Sequence, residues 1–350
     1  MPTTYAIPNG RTAFRAITYT GNGAASSNTT QNITTPFYPD LAWVKGRDTT
    51  FYHRLTSTGL TQPNYLAPNA TDAESSGQDQ ISALASTYFQ VKASGSGGTN
   101  QSGSTYVGWA WNANSGTTVS NTAGSITSTV SANTTAGFSV VTYSGNATAG
   151  ATVGHGLGVA PSMMIVKRRN ATDDWRVYHI SVGATQYIDL NTTAAAATAT
   201  VVWNNTAPTS SVFSVGTSNS VNGSSGTYVG YCFAPVAGYS AFGSYTGNGS
   251  ADGPFIYTSF KPAFLMVKRI DSTGDYPIVD SARDPYNVAQ YGLYANSTIT
   301  ESTFGSPTPM YDFNSNGFKI RNTFANTNAS SGTYIYMAFA SNPFKYANAG

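Results

Sequence analysis

The nine residues Gly226-Thr-Tyr-Val-Gly-Tyr-Cys-Phe-Ala234 have two counterparts in the chain, Ser104-Thr-Tyr-Val-Gly-Trp-Ala-Trp111 and Gly332-Thr-Tyr-Ile-Tyr-Met-Ala-Phe-Ala340. Each reads as a strand rich in aromatic and β-branched residues. Working back from each copy, a proline precedes an apolar run ending in Val-Lys: Pro39-Asp-Leu-Ala-Trp-Val-Lys45, Pro161-Ser-Met-Met-Ile-Val-Lys167 and Pro262-Ala-Phe-Leu-Met-Val-Lys268. Further back stand Tyr19-Thr-Gly-Asn-Gly23, Tyr143-Ser-Gly-Asn-Ala147 and Tyr245-Thr-Gly-Asn-Gly249. From opening Tyr to Lys is 26, 24 and 23 residues, and from Lys to closing Tyr 61, 61 and 66. Three ordered motifs in triplicate at such spacing mark an internal repeat.

The spacing predicts an all-β chain of three tandem homologous antiparallel β-sandwich units, jelly-roll-like: residues 1–116, 117–238 and 239–350. Residues 117–137 read as a linker or an extra edge strand. In the second unit, short runs bounded by Gly, Asn, Pro or Thr predict strands at Phe138–Tyr143, Ala151–Val153, Met163–Arg168, Trp175–Ile180, Tyr187–Leu190, Thr200–Trp203, Val212–Val215 and Thr227–Phe233. Helical periodicity is nearly absent, with Asp72–Phe89 the one segment that admits a helical turn or two. Three sandwiches in a row would make a stiff rod or plate.

Charged residues form only 9% of the chain against a usual ~25%, while aromatics reach 13%, with 23 Tyr and 35 Gly. Disordered chains lack such aromatics, and no apolar run approaches the ~20 residues of a spanning helix. A net charge of +2 argues against nucleic acid as a partner, since phosphate neutralisation needs a dense basic surface. The single Cys232 excludes an intramolecular disulfide framework and reads as a small buried residue. The N-terminal Met-Pro-Thr-Thr-Tyr lacks the basic and apolar segments of a secretory signal. Assembly in a reducing cytoplasm, followed by exposure outside the cell, is the expectation. The Asn-x-Ser/Thr triplets at Asn28, Asn32, Asn69, Asn133, Asn146 and Asn191 follow from the Asn/Thr-rich composition.

Few residues offer chemistry. Glu74 and Glu301, the only glutamates, occupy corresponding places, with Ala194–Ala197 at that place in the second unit. As a pair they would suit glycoside hydrolysis; as residues of different units they read as turn anchors or partners of nearby cations. Asp271, Asp275, Asp280 and Asp284, with Asp173 and Asp174, leave Ca²⁺ open as a cofactor, although neither run follows the twelve-residue Ca²⁺ loop. His53 and His179 each follow a Tyr and read as equivalent structural positions. His155 lies in Gly154-His-Gly-Leu-Gly158, with no following helix to build an anion site. Lys45, Lys167 and Lys268, with Arg47, Arg168 and Arg269 behind them, read as charges guarding a sheet edge. Trp109 and Trp111 share one face, assigned to the core. No catalytic or metal-binding residue is expected.

The runs Ala136-Gly-Phe-Ser-Val-Val-Thr-Tyr-Ser-Gly-Asn146, Val153-Gly-His-Gly-Leu-Gly-Val-Ala-Pro161 and Ile165-Val-Lys-Arg-Arg169 resemble a family of bacteriophage virion structural proteins of tail-fibre or decoration type, common in aquatic phages. Val236–Asn248, Ala282–Asn287, Asn316–Arg321 and Met337–Lys345 extend the resemblance over nearly the whole chain. It implies concanavalin-like sandwiches and a non-enzymatic protein of the virion surface (tail fibre, head fibre or capsid decoration). Implied partners are other virion proteins, further copies of the chain as a homo-oligomer with a trimer favoured, and host surface glycan. A dedicated lectin-like adhesin is the alternative and a polysaccharide-degrading enzyme a remote one. Neither nucleic acid nor membrane insertion is implied.

Overall fold

The computed structural model describes residues 5–23, 30–76, 81–93, 98–303 and 310–343; the Asn28 triplet and the chain ends lie outside them. Among these residues the fold is all-β, built of antiparallel sheets, with helix confined to single turns at Gly10–Thr12, Thr200–Trp203, Asn219–Asn222 and Ala325–Asn328.

Three larger sheets share one strand order. In the first, the opening strand Phe14–Thr20 pairs with the closing strand Thr105–Trp111, which pairs with the lysine strand Leu41–Gly46, followed by Arg54–Ser57. The second runs Phe138–Ser144, Thr227–Phe233, Met163–Arg168, Arg176–His179, and the third Ser240–Thr246, Thr333–Pro343, Phe260–Arg269, Pro277–Asp280. Each opening strand meets its closing strand at the motif tyrosines: Tyr19 opposite Tyr106, Tyr143 opposite Tyr228, Tyr245 opposite Tyr334. These rings stack at 5.1, 5.0 and 4.9 Å. Residues 117–137 supply Val119–Asn121 and Ser128–Asn133, which extend the second sheet beyond Phe138–Ser144.

Behind each larger sheet lies a small one: Thr30–Thr34, Tyr88–Lys92 and Ile81–Ala85; Ala151–Gly154 and Val212–Val215; Phe255–Tyr257, Gly317–Ile320 and Tyr311–Asn314. Three separate cores fill these gaps, such as Val44, Phe89 and Tyr106 in the first and Val141, Phe213 and Tyr228 in the second.

The opposite faces of the three larger sheets turn to one further core. Trp111, Phe233 and Phe339, each five residues after a closing-motif tyrosine, meet there as a triangle with ring centroids 5.8, 5.9 and 6.3 Å apart. Such contacts each add about 0.5–1.5 kcal/mol beyond area burial. The sheets are therefore grouped around a centre rather than set in a row. An isolated sandwich would leave Trp43, Trp109 and Trp111 uncovered on its outer face, and burying them requires the other two sheets. Burial on both faces also explains why Leu41–Gly46 is buried at every residue and does not alternate, as one-sided antiparallel strands do.

Two local expectations change. The described residues of Asp72–Phe89 form no helix: Ser75 bridges to Tyr65, and Ile81–Ala85 and Tyr88–Lys92 form a hairpin, while 77–80 lie outside the described residues. Thr200–Trp203 is one helical turn, closed by Asn204 in the left-handed region; its Val202 and Trp203 point into the second core, so apolar β-branched residues served a buried turn as well as they would a strand.

Candidate functional site

Ladder register fixes which residues correspond. Leu41, Met163 and Phe264, each four before the lysine, lie opposite Ser57, His179 and Asp280. His179 thus corresponds to Ser57, and His53 to Trp175 and Tyr276. The two histidines are not equivalent; the Tyr-His pair misled because the following strands begin four residues apart relative to it.

Each of these positions faces a neighbouring sheet across one of three seams. At the first–second seam, Ser57 Oγ lies 3.2 Å from the Tyr231 hydroxyl, and Trp175 Nε1 donates to the carbonyls of Ala67 (3.1 Å) and Ala70 (3.0 Å). At the third–first seam, Trp109 Nε1 donates to Asp280 (3.0 Å), and His53 Nε2 meets the carbonyls of Tyr294 and Ser297, both at 3.0 Å. At the second–third seam, His179 Nε2 meets the Tyr336 carbonyl (3.2 Å), while the Tyr276 hydroxyl is buried with no hydrogen-bond partner among the described residues. His53 Nδ1 accepts from Trp43 Nε1 and His179 Nδ1 from the Ser181 N–H, which assigns the proton to Nε2 in both neutral rings. Burial lowers them to about 3 and about 4.

The glutamates lie in the same seams. Glu74 pairs with Arg169 (2.5 Å) and accepts from Asn64; Glu301 binds Arg47 (2.6 Å) and Arg283 (3.0 Å). Their backbone N–H groups donate to the carbonyls of Arg169 (2.7 Å) and Arg47 (2.6 Å), and at the remaining seam Ala196 donates to Ile270 (2.9 Å). Glu74, Ala196 and Glu301 thus hold corresponding places, as do Arg47, Arg169 and Ile270, each two residues beyond the lysine. The glutamates serve different seams, each already engaged by arginine, and do not flank a shared cleft as an acid–base pair would.

Lys45, Lys167 and Lys268 guard no edge. They lie buried in inner strands, their ammonium groups held by the carbonyls of Gly46 and Thr49, of Arg168 and Ala171, and of Gly274 and Thr193. Burial lowers all three to about 8. Arg168 turns outward to Asn170 and Arg269 to Asp271. The Asn-x-Thr asparagines Asn69, Asn191 and Asn296 each accept from the backbone N–H of His53, Trp175 and Tyr276, at 2.9 Å. The acids considered for Ca²⁺ go to separate tasks: Asp280 to Trp109 and Arg283, Asp284 to the N–H groups of Gln290 and Tyr291, Asp275 to Asn296 and Asn326. Among the described residues no three His, Cys, Asp or Glu side chains converge. Cys232 is buried, its thiol pushed up to about 12, and His155 is tied to Thr209 and Leu157.

Sequence reading missed Arg283, fully buried and bridging Asp280 and Glu301, and Asp40, whose carboxylate accepts four backbone N–H groups from Ala113 to Gly116. Asp40 stands in the Pro-Asp-Leu run before the lysine strand, a signal that went unread because its two counterparts are Ser162 and Ala263.

The outward chemistry is aromatic. On the small third sheet Phe255 and Tyr257 are exposed while Ile256 between them is buried, so the two rings stand on one face about 7 Å apart. Phe255 lies opposite Lys319 and Tyr257 opposite Gly317; a Cβ on Gly317 would come within 2.8 Å of the Phe255 ring. Lys319 pairs with Asp252 (2.7 Å) and Arg321 with Asp312 (3.4 Å). Tyr286 is 82% exposed on a loop tied to the same sheet, where Asn287 exchanges hydrogen bonds with the Phe313 backbone. Two rings flanked by side chains that donate and accept hydrogen bonds make a platform for stacking.

Residues 10–343 match a family model described as a domain of unknown function, DUF7483. The chain belongs to this family. No curated protein and no solved structure matches it. The matched span runs from the turn before the first opening strand to the end of the third closing strand, so the family's unit includes all three larger sheets and the core they share. Among the described residues no helix is long and apolar enough to cross a membrane.

Proposed function

We propose that this DUF7483 chain is a non-enzymatic bacteriophage virion surface protein, a fibre or capsid-decoration component that packs on other virion proteins and contacts host glycan. In this reading the three sheet pairs are copies of one sandwich, joined within a single chain. The observation that carries the proposal is the division of labour between inside and outside. The buried acids, histidines and lysines bind sheets and loops together, while the outer surface offers hydroxyls, amides and the Phe255/Tyr257 pair. Rings of this kind give large rigid contact area at little entropic cost. Antibody labelling of intact particles tests the location: signal on tail or capsid supports it, and absence from the particle overturns it. Light scattering tests the trimer, which would have to form through outer surfaces because the inner faces already meet one another.

The adhesin reading is favoured by the same exposed pair. Phe255→Ala with Tyr257→Ala is expected to leave thermal stability unchanged and to abolish binding to host cells or host polysaccharide. Unaltered binding would remove this surface from the proposal. Release of reducing ends from host envelope by the purified protein would instead revive the hydrolase alternative.

A further inference from the structure

The strand after each lysine strand begins differently in the third set. Arg54 and Arg176 precede the corresponding Leu55 and Val177, whereas Pro277 precedes Ile278. In the first set the Arg54 guanidinium lies 4.6 Å over the Tyr65 ring. In the second, Arg176 lies 4.5 Å over Tyr187, donates from Nε to Ser220 Oγ (2.9 Å), and engages Asp189 and Asp174. By the same register Gly292 replaces Tyr187, Tyr294 replaces Asp189, Asn326 replaces Ser220, and Asp275 keeps the place of Asp174.

With proline in place of arginine, no described residue fills the space. A cavity of about 290 Å³ lies there, lined by Pro277, Tyr294, Met310, Phe324 and the turn Ala325–Thr327. Among its lining residues Pro277, Tyr294 and Asn326 hold the register places of Arg176 and of its partners Asp189 and Ser220. Behind Asn326 stands Asp275, whose Oδ2 accepts one hydrogen bond among the described residues, from Asn326 Nδ2 at 3.2 Å, which leaves lone pairs for a further donor.

We propose that this cavity receives an arginine side chain from a partner protein, the guanidinium stacking on Tyr294 and Phe324 and donating toward Asn326 and Asp275. A planar, weakly hydrated guanidinium suits aromatic walls better than an ammonium does. With one carboxylate where the second set has two, recognition rests on the rings, so a single arginine binds weakly and the partner's remaining surface supplies the rest of the affinity. The proposal is independent of where on a particle the protein sits.

The test is titration of the full chain with N-acetyl-arginine amide, followed by NMR of the aromatic side chains, with N-acetyl-lysine amide and a methyl glycoside as comparison probes. The arginine probe is expected to shift the Tyr294 and Phe324 signals at lower concentration than the lysine probe. Pro277→Arg, which supplies the missing side chain from within, is expected to raise the melting temperature and abolish those shifts. Phe324→Leu, a milder change, is expected to weaken them while the protein remains folded. Equal response to the two cations, response to the glycoside alone, or no response from the wild-type protein each overturns the proposal.

Discussion

The first–second and second–third seams carry the same backbone contact and opposite side-chain chemistry. In both, a residue of one sheet set donates its N–H to the carbonyl two positions beyond a buried lysine: Glu74 to Arg169 and Ala196 to Ile270. Around that contact the first–second seam places an ion pair, 9% and 21% exposed, and the second–third seam an alanine and an isoleucine packed against the common core. The position of the sheets is therefore set by backbone hydrogen bonds and the aromatic centre, and the ion pair is one of two ways to fill the space beside them. A buried pair gains little over apolar residues of similar volume, yet removing one partner leaves a charge stranded.

The third–first seam should be the most sensitive. Glu301 faces both Arg47 and the fully buried Arg283, so Glu301→Gln strands charge on two arginines, with Asp280 left to hold Arg283. A loss of about 4 kcal/mol is expected, measured by urea unfolding. Glu74→Ala should cost less, about 2 kcal/mol, because Arg169 is partly open to water, which screens its stranded charge. Equal losses at the two sites would mean that Arg283 contributes nothing to the difference.

Histidines extend the comparison, since His53 serves the third–first seam and His179 the second–third. Both are held neutral by burial, at about 3 and about 4 against 6.5. The unfolded chain therefore takes up protons that the folded chain refuses, and stability falls as pH drops through 6.5, continuing until about 4 for His179 and about 3 for His53. Each is expected to cost about 1.5 kcal/mol between pH 7.5 and 5.5; burial lowers His155 as well, in the same sense. His179→Gln should flatten the pH dependence of the melting temperature, and an unchanged slope would contradict neutral burial at that seam.

The triplicated motifs made the strands and much of the seam legible in sequence. Met163–Arg168, Val212–Val215 and Thr227–Phe233 have the predicted limits, and Glu74 and Glu301, 29 and 33 residues after their lysines, could be matched with the stretch Ala194–Ala197. Grouping around a centre was not legible. The apolar pattern of Tyr106–Trp111 says that both faces are covered, but not that one cover is the closing strand of another sheet. The seam partners Glu301 of Arg283 and Tyr294 of His53 escaped for the same reason, being 18 and 241 residues away. Nor could sequence distinguish a lysine at an edge from one held by loop carbonyls, since both end an apolar run.

The smallest expected effect bears most directly on the comparison. Replacing Glu74 by Ala together with Arg169 by Ile gives the first–second seam the residue types of the second–third. The backbone donation from residue 74 to residue 169 needs neither side chain and should persist. The double variant is expected within about 1 kcal/mol of the original, because a balanced charge pair is exchanged for balanced apolar contact, whereas Glu74→Ala alone loses about 2. A thermodynamic cycle over the two single variants and the double one isolates the coupling. Strong destabilisation of the double variant would show that the seams are not interchangeable and that the Asn64–Glu74 hydrogen bond, which has no part in the Ala196 seam, is what holds the first–second one.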